Sequence, residues 1–199
     1  EHKGWTYHSI TLPNGHILSA GINLGRVYVW DEETGKTLVD LEGGGEPALS
    51  PDGKALVYED LDRKLVVWDI PNQQTIAVLE SHSYHQLNPI FSPDGRLVAA
   101  VQAWYRYTDS IRVWNAYTGE IANALAGPDN DITDLSFSAD GQYLVGAAGG
   151  SAWIWSMQPG AAPEELELYQ GEINSNLNIY TNSVTAAALS PNNRVLAVG

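Results

Sequence analysis

The chain has no cysteine in its 199 residues, which removes disulfides, thiolate nucleophiles and cysteine metal sites in one step. Basic residues are scarce: ten lysines and arginines stand against 24 aspartates and glutamates, a formal charge of −14. No basic stripe forms, so binding of nucleic acid through its phosphates is not expected. The acidity favours solubility and basic partners instead. No apolar run reaches about 18 residues, so no membrane-spanning helix is expected. Helical periodicity is weak along the whole chain. Gly43-Gly44-Gly45 reads as a turn between strand groups, with no helix behind it on which a phosphate would rest. No nucleophile–base pair or paired catalytic carboxylates stand out. The first residues lack a charged-then-apolar leader pattern, so a soluble, cytoplasmic protein is the expectation, although a cleaved leader leaves no trace.

What is present is a repeat. Residues 88–125 read as four short apolar runs separated by tight turns. The first turn is Ser92-Pro93-Asp94-Gly95, in which proline presets φ, aspartate tolerates the next position and glycine supplies the positive φ that follows. The third run, Ile111-Arg112-Val113-Trp114, ends at a tryptophan and is followed by a second turn containing Thr118-Gly119. Both markers recur in phase. Tryptophan closes the third run at Trp30, Trp68, Trp114 and Trp155, spaced by 38, 46 and 41 residues. The turn recurs as Leu12-Pro13-Asn14-Gly15, Ser50-Pro51-Asp52-Gly53, Ser138-Ala139-Asp140-Gly141 and Ser190-Pro191-Asn192-Asn193. Four antiparallel strands in about 40 residues form one blade of a propeller.

The dipeptides Trp30-Asp31 and Trp68-Asp69 resemble the tryptophan–aspartate signature of the WD-repeat β-propellers, with Trp114-Asn115 and Trp155-Ser156 as variants. The resemblance extends over essentially the whole chain. It implies an all-β fold of four-stranded antiparallel blades. It also implies a buried aspartate six positions before the tryptophan, a place that Asp62 holds before Trp68; Leu24, Thr108 and Gly149 stand there elsewhere. The glycine–histidine dipeptide of the family is missing, since His82 follows Ser81. The four tryptophans, with Asp31, Asp69 and Asp62, are therefore structural residues of the repeat.

The expected blades occupy about residues 5–42, 46–80, 87–126 and 131–170, with part of a fifth at 183–199. Four and a half blades do not close a ring. The expectation is a ring completed by further sequence or by another chain, because uncovered blade faces and strand edges invite association.

The long connections, 80–87, 102–110 and 169–183, fall on one side of the disc, where function usually sits. Trp104-Tyr105-Arg106-Tyr107 is the leading candidate for partner binding, because aromatics and arginine dominate interface hot spots. His82, Tyr84 and His85 lie on the neighbouring connection, and Tyr180 on the asparagine-rich one. The two histidines lack a third ligand, and Asp129-Asn130-Asp131 with Asp134 lacks the glycine and terminal glutamate of an EF-hand, so no cofactor or metal is expected. A weaker alternative places Glu46, Asn88, Asp131 and Asn182 around the channel mouth, as a calcium site or the centre of a propeller enzyme. No asparagine forms a glycosylation acceptor. The leading functional reading is a non-catalytic scaffold for a protein or peptide partner; an architectural piece of a larger assembly is a third.

Overall fold

The computed structural model describes residues 6–11, 16–21, 25–31, 33–79, 85–104, 107–126, 131–148, 151–158, 164–166, 186–192 and 196–198. All regular structure among them is strand. Blade one is β1 (Thr6–Thr11), β2 (His16–Gly21), β3 (Arg26–Asp31) and β4 (Thr37–Glu42). Blade two is β5 (Gly44–Leu49), β6 (Ala55–Glu59), β7 (Leu65–Asp69) and β8 (Gln74–Leu79). Blade three is β9 (His85–Phe91), β10 (Leu97–Trp104), β11 (Tyr107–Asn115) and β12 (Ile121–Ala126). Blade four is β13 (Ile132–Phe137), β14 (Tyr143–Ala148), β15 (Ser151–Ser156) and β16 (Glu164–Leu166). A final pair, β17 (Ala187–Leu189) and β18 (Leu196–Val198), begins a fifth. Within each sheet the strands follow chain order and are antiparallel. The first strands are neighbours across blades: β5 lies beside β9, β9 beside β13 and β13 beside β17. These are the innermost strands of the disc.

The core lies between blades, and period-two alternation builds it. Val98 and Ala100 on β10 pack with Val57, Leu65, Val67 and Leu79 of blade two. The intervening Ala99 and Val101 pack with Ile132, Leu135 and Leu144 of blade four. Leu56, Tyr58 and Val66 turn the other way, onto Val27, Val29 and Val39 of blade one. Val145 and Ala147 meet Ala187 of the last pair. A middle strand therefore buries both faces, which explains its unbroken apolar run. Each buried valine or leucine contributes about 1.5–3 kcal/mol.

The repeat tryptophans face the preceding blade. Trp68 packs on the blade-one cluster, Trp114 on blade two and Trp155 on blade three; the last two are fully buried. Trp30 stacks on Tyr28, with ring centroids 5.7 Å apart. In blades one to three the register slips immediately before this residue, so the tryptophan sits at a bulge. The indole donors have no common partner. Trp30 Nε1 donates to Thr37 Oγ1 (3.0 Å) and Trp155 Nε1 to the Ala126 carbonyl (2.8 Å), whereas buried Trp68 Nε1 has no partner among the described residues. Asp62 does not supply one. It is exposed, and Asp60 organises its turn by accepting the Asp62 and Lys64 N–H groups, both at 2.9 Å. The buried aspartate implied by the resemblance is therefore not found at Asp62. Asp31 and Asp69 close the turn after the third strand: Asp31 accepts the Thr34 N–H at 2.7 Å and Asp69 the Asn72 N–H at 3.0 Å. Asn115 serves likewise, its Oδ1 accepting the Thr118 N–H at 3.1 Å, so any short side-chain oxygen suffices there.

The other repeated turn is a self-contained unit. Ser92 is buried; its Oγ accepts the Leu97 N–H (2.9 Å) and its hydroxyl donates to Asp94 Oδ1 (2.6 Å), which also accepts the Arg96 N–H (3.0 Å). Ser50 with Asp52 and Ser138 with Asp140 repeat the pattern. Gly53, Gly95 and Gly141 hold φ of 69°, 71° and 70°. The turns nest in file: a methyl on Gly95 would lie 3.7 Å from Pro51 Cδ, and one on Gly141 3.8 Å from Pro93 Cδ. β17 is attached to β13 by side chains, with Asp134 Oδ2 accepting the Ala187 N–H and the Ser136 hydroxyl donating to the Ala187 carbonyl, each at 3.0 Å.

Three connections differ from the sequence expectation. Residues 102–104 and 107–110 form strand, not loop. Residues 85–87 belong to β9. Gly44 and Gly45 open β5, so the glycine triplet is more than a turn between blades. Gly43, at φ 152°, lies where a methyl would collide with the Glu59 carbonyl oxygen. Replacing Gly43 by alanine should cost roughly 3 kcal/mol in urea unfolding, whereas Gly44→Ala, with open space at that position, should stay within about 0.5 kcal/mol.

The turn predicts an acid response. Hydrogen bonds from the Ser50 hydroxyl and the Lys54 N–H hold the Asp52 carboxyl below its usual range, and Ser92 and Arg96 do the same for Asp94. A depressed folded-state pKa adds stability that is complete above the ordinary carboxylate value near 4 and disappears as pH falls through the folded-state value. Ser92→Ala should cost about 1–2 kcal/mol at neutral pH and weaken the loss of stability below about pH 4. An unchanged acid limb in denaturant melts would show that Asp94 gains nothing from the serine.

Candidate functional site

The face carrying the connections between second and third strands is built unevenly. In blade two that connection is short: Asp60 caps it, Arg63 adopts φ 61°, and Leu61 at its tip is 68% exposed. In blade three both strands continue. β10 has eight residues and β11 nine, against five each for β6 and β7. Residues 102–104 extend roughly 10 Å past the core-forming segment. Val98 to Val101 are buried between blades two and four, so the arm grows from an anchored base.

This arm joins candidates that are separate in sequence. Trp104 pairs in register with Tyr107, directly across the two-residue connection 105–106. On the other side His85 pairs with Ala103 and Gln86 with Gln102. Three strands thus bring the backbone of His85 beside Trp104 and Tyr107. Gln102, buried at the base of the arm, precedes a register slip that lies between it and Trp104. Tyr105, Arg106, His82, Tyr84 and Tyr180 lie outside the described residues.

The channel-mouth candidates are placed differently. Glu46 is exposed on β5, Asn88 lies on β9, and Asp131 is exposed just before β13; Asn182 lies outside the described residues. Among the described residues no three histidine or carboxylate groups gather to hold a metal ion. On the opposite face a groove of about 290 Å³ opens between the Ser92 and Ser138 turns, lined by Asp94 and Asp140, whose Oδ1 atoms both accept serine hydroxyls. Sequence reading passed over Leu61. The signal was an apolar residue set in the charged turn Asp60-Leu61-Asp62-Arg63.

The family model described as "WD domain, G-beta repeat" matches residues 119–156, which hold β12 to β15 and end on Trp155-Ser156. Residues 119–156 thus carry a WD repeat, and the chain resembles WD-repeat β-propellers. The matched unit runs from the outermost strand of one blade through the third strand of the next, so a WD repeat in this protein bridges two blades. The chain is 28% identical over 161 residues to the meiotic recombination protein rec14 of Schizosaccharomyces pombe, covering 77% of this chain and 51% of that protein. It is 32% identical over 105 residues to human WD repeat and SOCS box-containing protein 1, covering 50% of this chain and 24% of that protein. A chain of Kuenenia stuttgartiensis hydrazine synthase superposes with a TM-score of 0.79 at 17% identity, covering 98% of this chain and 61% of that one. That likeness concerns the fold alone. The chain spans about half or less of the curated relatives it matches.

Proposed function

We propose that this WD-repeat chain is a non-catalytic scaffold that takes a protein or peptide partner on the face carrying the β10–β11 arm. The observation that supports this reading most is the arm itself. It is a departure from the repeat, rooted in a core buried on both sides, with Trp104 and Tyr107 in register at its tip. Aromatic side chains on a rigid base lose little conformational entropy on binding, which suits them to be anchors. Exposed Leu61, at the corresponding turn of the adjacent blade, adds apolar area on the same face. None of the curated relatives described above is named for a chemical reaction.

The test uses a partner recovered on the immobilised full-length chain, purified, and titrated against wild type and a Trp104→Ala/Tyr107→Ala double variant. The double variant should bind at least about fivefold more weakly, a loss above roughly 1 kcal/mol, with an unaltered far-ultraviolet spectrum. Leu61→Ser should weaken binding further. Unchanged affinity, with cross-links mapping to the Ser-Pro-Asp-Gly turns, would remove this face from the reading.

A further inference from the structure

Among the described residues the outermost strand of each blade pairs on one side only, and natural proteins guard such edges with charge, proline, bulges or cover. The four full blades do so unequally. β4 carries Asp40 and Glu42, which hold Arg26 at 2.7 and 3.3 Å. β16 is Glu164-Glu165-Leu166. β8 has no charge, but the turn of the next blade leans on it: a methyl on Gly119 would lie 2.7 Å from the Val78 carbonyl oxygen. β12, Ile121-Ala122-Asn123-Ala124-Leu125-Ala126, has neither charge nor proline. It stands at the end of its sheet, paired with β11. Its register slip is confined to the Ile121 end, and Asn123 to Ala126 run in unbroken register with Val113 to Ser110.

The surface around this edge is apolar. Ile121 is 48% exposed, Tyr117 55% and Val78 45%; the first two lie within two residues of Gly119, which the Val78 backbone approaches. Ala122, Ala124 and Ala126 are exposed as well. The Ala124 N–H donates to Asn123 Oδ1 at 2.9 Å, an acceptor that the carbonyl of an incoming strand would replace.

We propose that β12 is a docking edge that accepts one added strand from a protein partner, a segment apolar in its middle and basic at its flanks. Strand addition takes its affinity from main-chain hydrogen bonds and its selectivity from alternate side chains. Exposed alanines leave room for bulky β-branched residues opposite them. Charge sets the flanks. Between residues 113 and 193 the chain has no lysine or arginine and nine aspartates and glutamates. Exposed Glu120 immediately precedes the strand, and the next strand on the rim carries Glu164 and Glu165. Arg112, opposite Ala124 on β11, is the last cation before this stretch. A second copy of the chain would set −14 against −14, so the partner is a different molecule. The edge lies on the rim and not among the long connections, so this proposal stands apart from the arm reading.

The test titrates the full-length chain with a fluorescent peptide of alternating valine and threonine carrying two lysines at each end. Two controls have one central proline or glutamates in place of the lysines. The lysine peptide should bind, and amide exchange should slow in residues 122–126. Both control peptides should bind at least about tenfold more weakly. Ile121→Lys, at an exposed position, should weaken the lysine peptide by about as much. Ala124→Pro, which removes an edge donor, should abolish exchange protection if the variant keeps its strand spectrum. Equal binding of the proline peptide would reduce the effect to charge attraction and overturn the proposal. So would slowed exchange elsewhere, no binding by a folded chain, or a salt-resistant dimer that buries β12.

Discussion

Burial on both faces of the middle strands is the constraint from which the rest of this fold follows. A strand sandwiched between two blades has no solvent face on which polar residues can sit. Its sequence must therefore be apolar at consecutive positions, as in Leu56-Val57-Tyr58 and Val98-Ala99-Ala100-Val101. Such a run carries no alternation to set its register, and a slip of one residue would exchange two apolar faces at little cost in burial. Register must then be fixed at the strand ends. The serine–aspartate turn does this at one end, because the Ser92 and Leu97 main chains pair across it while Ser92 Oγ takes the Leu97 N–H. Beside it, where Val98 pairs with Trp114, a bulge seats the tryptophan against the preceding blade and fixes the same end of the third strand. The two markers that recur through the chain sit where the apolar strands cannot specify themselves.

This explains why the architecture was legible in the sequence and the site only in part. Ser92 to Gly95 and Trp114 are locally determined: a positive φ requires glycine, and a large indole fills a fixed gap between blades. Their spacing alone locates the strands. The blade-three connection was misread because polar and aromatic residues in Gln102 to Ser110 look like a loop when strand is judged by apolar runs. Its strand character comes from pairing on both sides, with β9 and within the hairpin, and neither is local information. Residues 85–87 were missed for the same reason. Asp62 was chosen by its spacing from Trp68, but Asp60 is the residue whose carboxylate reaches two turn amides. Spacing counts residues and does not see which way a turn points.

The glycines show the same division between local and non-local causes. Gly95 is explained by its own turn. Gly43 and Gly146 are explained by what approaches them: the Glu59 carbonyl for one, and for the other the Asp134 carbonyl oxygen, 2.8 Å from where a methyl would sit. Both contacts join strands that are neighbours in space, so their purpose appears only once the sheets are assembled.

If both faces of each blade are committed to packing, variation has few places to go. A substitution in β6, β7 or the inner half of β10 disturbs two interfaces together, so new chemistry there destabilises the packed blades before it binds anything. The strand ends and the outermost edge are free of that restriction. The β10–β11 arm uses the first freedom, lengthening two strands past the point where neighbouring blades meet them. β12 uses the second, because only Leu125 of its six side chains is buried and its main chain faces outward on one side. On the two proposals, the arm would bind through side chains and the edge through backbone. Such surfaces select different partners: aromatic anchors require a complementary pocket, whereas a strand edge requires only an extended segment with suitable alternation and charge. On those proposals a single blade would present two independent means of recognition, provided that its core stays as uniform as the repeat demands.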